Sequence, residues 1–515
     1  MKRRLCLLLA AMLMAGMLTG CASDTQENGG QEQEVESTGI PDIDLAVAVG
    51  FEPTTLNNHN ANDANTNFFC SMIYSALVGF DQNNQMVPAL AESWEWLDDT
   101  HIRFHLRENV KWHNGANFTA DDVLYSIQDA CASAFVSTID CVNPDDITVV
   151  DDYTIDVGLF EYDAGLLANL GGITILNREA TENVDTAVYD ENPVGTGPFK
   201  FVEWVQGDHI TLTANADYWG ESDFSFTNVT FRLISEQSTR AIEVETGSCD
   251  IAINVSTNDA ERLGEDPNVT VYTAPLSQHY FISFNCEKEP FNNIKVREAI
   301  CHAIDAAAIR ETVWQGYAQE CGSPCMAPDV FGYYDCGGDY ELDVDYAREC
   351  LAEAGYPDGF STSLIANGQA ETCEMVQYQL AQIGIDVSIN STDRATWVSE
   401  LVAGNQEMYV GGWTNGNGDA AYSMESFHSS NYGGGGNRSR FSLPELDELI
   451  DQAKASHDDD ERLELYKQAQ IMVYDNYVYA PLYVGLQLNA SRSDISNYIT
   501  RSSQKPMLEL LQVDR

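Results

Sequence analysis

In "THIRFHLRENVKW" the polarity alternates residue by residue. Ile102, Phe104 and Leu106 fall on one face and His101, Arg103 and His105 on the other, the pattern of a half-buried strand. The β-branched run "IDLAVAVGFEP" predicts an earlier strand, closed by Glu52-Pro53, and "VTFRLI", "HYFISFN" and "GIDVSI" predict three more. Elsewhere the period lengthens to that of a helix. Thr119 followed by Asp122 has capping-box spacing ahead of the stripe Val123, Leu124 and Ile127. Val296, Ala299, Ile300, Ala303 and Ala307 are expected on one helical face, and Ala347, Cys350, Leu351 and Ala354 on another, with Gly355 as a stop. Ser442 and Glu445 bracket a further helix start, with Leu446, Leu449, Ile450 and Ala453 inward. Strands interleaved with helices predict an α/β, mixed α+β protein. No repeat of about 20–50 residues marks a solenoid.

The first residues follow a different logic. Lys2, Arg3 and Arg4 precede an apolar run, Leu5 to Leu18, that has the length of a signal-peptide core and falls short of the ~20 residues that span a bilayer. It ends in "LTGC", which resembles the lipobox of bacterial lipoproteins. Residues 1–20 are therefore expected to be cleaved, leaving Cys21 as a lipidated first residue. Two acyl chains on one residue hold a membrane where a single chain does not. Residues 21–40 have almost no apolar content and are expected to form a disordered tether.

Composition narrows the function. The 515 residues carry 80 acidic side chains against 26 basic ones, a net charge of −54, which repels nucleic acid and anionic headgroups. With 44% apolar residues the chain can fill a core, and its length exceeds the ~250–300 residues at which single cores stop growing, so at least two lobes are expected. Beyond Cys6 and Cys21, an odd number of cysteines remains. Cys131 with Cys141, and Cys321, Cys325 and Cys336, are candidates for local disulfides. No metal site is expected: His101 and His105 stand about 13 Å apart along a strand, and no Cys-x-x-Cys pair occurs. No nucleophile elbow, His-Glu-x-x-His or P-loop motif is present. "GTGPF" (195–199) has a proline where a phosphate loop needs a backbone donor. Neither catalysis nor a cofactor is expected.

"VPALAESWEW", "HIRFHLRENVKWHNGANFTADDVLYSI", "NPVGTGPFKFVEW" with "NADYWG", "ISFNCEKEPFNNIKVREAICHAID", "YARECLAEAGY" and "ELDELIDQAKASHDDDERLELYKQAQIMVYDNYVYAPLYV" together resemble the extracellular solute-binding proteins of family 5, the peptide- and nickel-type substrate-binding components of ABC importers. The resemblance covers 41–515. It implies a two-lobed, periplasmic-binding-protein-like clamshell of the class II, cluster C type, with an interlobe ligand cleft. Lobe I would comprise 41–277 plus 485–515, with a subdomain at about 80–190, and lobe II 278–484. The hinge would lie near 275–285 and 480–485. The implied protein is a monomer that binds a small solute, an oligopeptide first, and hands it to an ABC permease with its ATPase subunits. An oligosaccharide, nickel or haem, or a peptide-sensing role without transport, are the alternatives.

The resemblance places "GGWTNGNGDAAYSMESF" (411–427) at the cleft. The aspartate that holds a peptide's amino group in relatives is Gly416 here, and "IANGQAETCEMV" (365–376) lacks the arginine that anchors a dipeptide's carboxylate. The expected ligand contacts are Trp413 as an aromatic platform with Thr414, Asn415, Asn417 and Asp419 as polar groups. Arg394 and Trp397 come next, Trp397 read first as packing, then Tyr280 and His279 at the hinge and Phe51 with Glu52 on the opening loop. "YGGGGNRS" (432–439) is expected to be a mobile rim.

Overall fold

The computed structural model describes residues 39–61 and 63–515. The expected leader, Cys21 and nearly all of the tether lie outside them. One mixed sheet of 11 strands organises the rest. Its spine is two long antiparallel strands, Val269–Phe284 and Tyr479–Arg492. On one side of this pair follow Met408–Thr414, Phe360–Ala366 and Ile385–Ser391; on the other follow Ile251–Ala252, Asp44–Val49, Asn228–Leu233, His209–Ala214 and Phe199–Val205. The spine's ladder is regular from Val269↔Arg492 to Pro275↔Leu486, breaks, and resumes at His279↔Val484. Pro275 has no N–H to extend the ladder, and a bulge follows it.

The apolar cores divide along the same line. One draws on residues 45–253 and 495–513, a second on 77–194, and two more lie wholly within 281–484. The second is built on a four-stranded antiparallel sheet, Ala91–Asp98, His101–Leu106, Thr154–Leu159 and Val142–Asp151, in that spatial order. Ile102, Phe104 and Leu106 are buried in it, while His101, Arg103 and His105 remain half-exposed. Helix Ala120–Ala132 covers this sheet and starts with the expected capping box. The Asp122 carboxylate accepts from the Thr119 N–H at 3.1 Å and also from the Trp112 indole at 3.1 Å.

Two helix expectations shift. Val296, Ala299, Ile300 and Ala303 are buried on one face, but the helix ends at Ala303 and a new one, Ala306–Trp314, begins. Asp305 causes the break by accepting from the Ala308 N–H at 2.8 Å as an N-cap, which leaves Ala307 exposed. The later helix is Pro444–Ala455, capped at Leu443 rather than Ser442, with proline in its first turn where no donor is needed.

"GTGPF" is a crossing point of backbones. The Gly197 N–H donates to the Ile73 carbonyl at 2.9 Å, and the Gly195 carbonyl accepts from the His113 N–H at 2.9 Å. A Cβ on Gly195 would lie 1.8 Å from the Ile73 carbonyl oxygen. The glycine run after Tyr432 is a short 3-10 turn, Gly433–Gly435. The buried Asn437 amide beside it donates to the carbonyls of Phe427, His428 and Phe441.

The eleven described cysteines are all free thiols, which corrects the expectation of disulfides at Cys131–Cys141 and among Cys321, Cys325 and Cys336. Cys321 is buried and its Sγ donates to the Ser323 carbonyl at 2.8 Å. Burial pushes its thiol, and that of Cys141, up to about 12. Neither is the thiolate that exchange requires.

Candidate functional site

Strand Met408–Thr414 pairs with the upper part of the spine, setting His279 opposite Trp413 and Tyr280 opposite Gly412. The glycines at 411 and 412 matter here. A Cβ on Gly412 would come within 2.9 Å of the Tyr280 ring, and one on Gly411 within 3.2 Å of the Trp397 ring. Their absence lets aromatic rings lie against the strand and form the floor of a cavity of about 360 Å³. Tyr280 stacks on Tyr483 with centroids 4.7 Å apart, and its hydroxyl donates to Gln278 Oε1 at 3.0 Å. Trp413 meets Tyr422 at 5.6 Å, and its indole N–H is buried without a hydrogen-bond partner among the described residues.

Cations stand at this cavity without counter-charges. Arg394 and Arg438 both line it, and among the described residues neither guanidinium has a carboxylate within ion-pair distance. Arg438 lies over the Trp397 ring at 5.8 Å with its Nε buried and unpartnered. A second cavity of about 430 Å³ shares Tyr422 with the first. Its lining is acidic: Asp140, Glu161, Asp163 and Glu425 against a single Lys454. Lys454 is committed to Glu425 at 2.9 Å and Asp163 at 3.7 Å. Burial raises the Asp163 carboxyl, with Lys454 opposing. Asp140 and Glu161 are exposed and have no cationic partner among the described residues.

The structure thus brings together Trp413, Thr414, Arg394, Trp397 and Tyr280 from the sequence candidates. It turns the other candidates elsewhere. Asn415 builds its own loop: its amide donates to the Asp419 carbonyl at 2.8 Å and to Ser423 Oγ at 2.9 Å, and its Oδ1 accepts from the Gly418 N–H at 2.7 Å. Asn417 donates to Asn169 Oδ1 at 2.6 Å. Asp419 caps helix Ala420–Met424 and accepts two hydrogen bonds from Arg462 Nη2, both at 2.8 Å. Burial pushes this carboxyl up and Arg462 pulls it down; the guanidinium itself is held charged above its ordinary range. His279 is 1% exposed, and its Nε2 sits 3.1 Å from the Pro324 carbonyl. Burial holds its pKa down to about 4, so the ring is neutral and Nε2 is the donor. Phe51 packs edge-on against Phe68 at 5.1 Å. Glu52 accepts from the Gly207 N–H at 3.0 Å and the Trp204 indole at 3.4 Å. Neither lines the cavities.

Sequence reasoning missed Arg438, Gln278, Gln369 and the acidic lining. Arg438 stood inside the stretch read as a mobile rim, and the acidic residues were lost among eighty carboxylates. Beside the cavities lies a carboxylate junction: Asp329 Oδ2 accepts from Ser277, from Ser502, and from Asn84 Nδ2 at 3.3 Å.

Comparison with known proteins agrees with this architecture. Over residues 85–435 the chain matches the bacterial extracellular solute-binding proteins, family 5. It is 30% identical to Heme-binding protein A of Haemophilus influenzae, covering 94% of each chain. It is 28% identical to the Glutathione-binding protein GsiB of Salmonella typhimurium, over 88% of this chain and 91% of that one. Among solved structures it resembles the ABC transporter-associated periplasmic binding protein DppA from Helicobacter pylori in complex with the peptide STSA, at a TM-score of 0.77 and 28% identity over 92% of this chain and 98% of that one. The chain belongs to the bacterial extracellular solute-binding proteins of family 5.

Proposed function

We propose that the protein is the substrate-binding lipoprotein of an ABC importer and that it captures a short peptide by its two charged ends. The observation that carries this reading is the pairing of unpartnered charges. Arg394 and Arg438 face one cavity and Asp140 and Glu161 the adjoining one, with Tyr422 common to both. A free carboxylate would meet the guanidinium groups, and a free ammonium group the acidic lining, while Trp413 and Tyr280 supply an apolar floor. The relatives' printed ligands, glutathione and the peptide STSA, are molecules of this kind. Residues 41–277 with 485–515 would act as one lobe and 278–484 as the other, bending at the ladder break after Pro275. A ligand that touches both lobes binds the closed form better and shifts the population toward it. Cys21 would carry the lipid, and the tether would keep the receptor close to its permease. Cargo is bound and released unchanged.

Haem is the second reading, favoured by the relationship to Heme-binding protein A and by two arginines that suit two propionates. Native mass spectrometry of freshly purified protein, followed by fluorescence titration with peptides of two to five residues, separates the two. Peptide masses, and affinity that falls about tenfold or more when the C-terminus is amidated, support the proposal. That loss corresponds to one charge-assisted hydrogen bond of about 1.5–3 kcal/mol. Co-purified haem, or indifference to amidation, would overturn it.

A further inference from the structure

A third cavity, of about 190 Å³, shares no lining residue with the two described above. It lies between helix Ala64–Ile73, the segment that follows it, the glycine pair 171–172 and the C-terminal stretch 501–509. It falls below the ~300 Å³ usual for a drug-sized ligand, too small for a peptide. Two cations enter it from one turn. The Gln504 N–H donates to the Arg501 carbonyl at 2.8 Å and the Arg501 N–H to the Lys505 carbonyl at 3.0 Å, so the turn brings both side chains to the same space.

Neither cation has a carboxylate within ion-pair distance among the described residues. Among the described residues Lys505 Nζ has no hydrogen-bond or ion-pair partner. Among the described residues the Arg501 side chain reaches only the Phe80 carbonyl, at 3.3 Å, and its Nε is buried and unpartnered. Glu509 lines the cavity and is 8% exposed; burial drives its carboxyl upward with Arg501 opposing, and among the described residues it is not within ion-pair distance of either cation. Tyr218 also lines the cavity, and its hydroxyl has no hydrogen-bond partner among the described residues.

This is unusual company in a chain with 80 carboxylates. Apart from Arg394 and Arg438 at the Trp413 cavity, other enclosed cations are matched: Arg462 with Asp419, Arg310 with Asp339, and Arg103 with Asp156. Arg240 and Arg297 spend their donors on backbone carbonyls. Two adjacent cations left unpaired in a polar hollow carry a desolvation cost that a bound anion removes. Burial first, then Arg501, holds the Lys505 ammonium down to about 8, which is the direction a missing counter-charge produces.

We propose that this cavity is a second binding site, separate from the Trp413 cavity, which takes a small oxyanion between Lys505 and Arg501. Carboxylate, phosphate and sulfate share the required chemistry: a negative charge spread over oxygens that accept from an ammonium, a guanidinium Nε and a phenol. The site is independent of the peptide reading and stands if that reading fails.

Isothermal titration calorimetry on the full chain, at constant ionic strength and with chloride as the reference, tests it with acetate, inorganic phosphate and sulfate in turn. Saturable one-site binding of at least one of them is expected, and which one binds tells a planar from a tetrahedral guest. Lys505→Met should weaken binding by about tenfold or more, the loss of one charge-assisted hydrogen bond. Lys505→Arg, which keeps the charge and controls for folding, should retain it, and Arg394→Gln in the other cavity should leave it unchanged. Absence of saturable heat with all three anions overturns the proposal, with no recourse to the variants. So does Lys505→Met binding as tightly as wild type, or loss of binding in Arg394→Gln.

Discussion

Asp419→Asn isolates a buried charge that shapes the Trp413 loop. Asparagine keeps the side-chain oxygen that caps the Ala421 N–H at 2.8 Å, so the cap survives. What is lost is the counter-charge of Arg462, whose side chain is 6% exposed against 8% for Asp419. Two charge-assisted hydrogen bonds at about 1.5–3 kcal/mol each set an upper figure of about 6 kcal/mol. Arg462 retains Asp459 at 3.1 Å, a carboxylate 74% exposed and therefore weak. The expected cost is about 3–4 kcal/mol, within the range for breaking one side of a buried pair. Urea unfolding at pH 7, followed by far-ultraviolet circular dichroism, reads it as a lower midpoint at unchanged slope. Arg462→Met on top of Asp419→Asn removes the orphaned charge and should recover part of the loss. A cost under about 1 kcal/mol, or a double variant less stable than Asp419→Asn alone, would refute the reasoning.

Gly195→Ala should destabilise by at least about 2 kcal/mol, because its Cβ meets the rigid Ile73 backbone at 1.8 Å; thermal unfolding measures this. His279 and His113 both have their pKa lowered to about 4 by burial. The unfolded chain therefore binds more protons between about pH 4 and 6.5, and stability present above 6.5 is lost as pH falls toward 4. His279→Gln should flatten that slope in denaturant midpoints measured at successive pH values. Trp413→Ala should weaken ligand binding about tenfold or more with little change in melting temperature, as read by calorimetry with the co-purified ligand; unchanged affinity would remove Trp413 from the site.

Local rules carried the strand at 101–106 and the capped helix at 120–132, because alternation and capping are written within a few residues of each other. The break at Asp305 was also written locally, in an aspartate that competes with helix continuation for a backbone donor, yet five apolar positions in register hid it. The loop after Trp413 illustrates a different limit. Asn415, Asn417 and Asp419 read as ligand groups because polar residues beside an aromatic suit a cleft. Their partners decide otherwise, and those of Asn417 and Asp419 lie 248 and 43 residues away in the chain. Arg394 and Arg438 show the converse: what distinguishes them is the lack of a carboxylate nearby, and proximity in space has no local sequence signal.

Asp329 ties together three parts of the chain: the hairpin tip at Asn84, the spine beside its ladder break at Ser277, and the C-terminal turn at Ser502, the last two of which also meet directly where the Ser277 N–H donates to the Ser502 carbonyl at 3.0 Å. Its other oxygen is buried and has no hydrogen-bond partner among the described residues. One carboxylate with three clients makes their freedoms mutual, so Asp329→Ala should loosen all three segments at once, with amide exchange accelerating around 84, 277 and 502 in parallel.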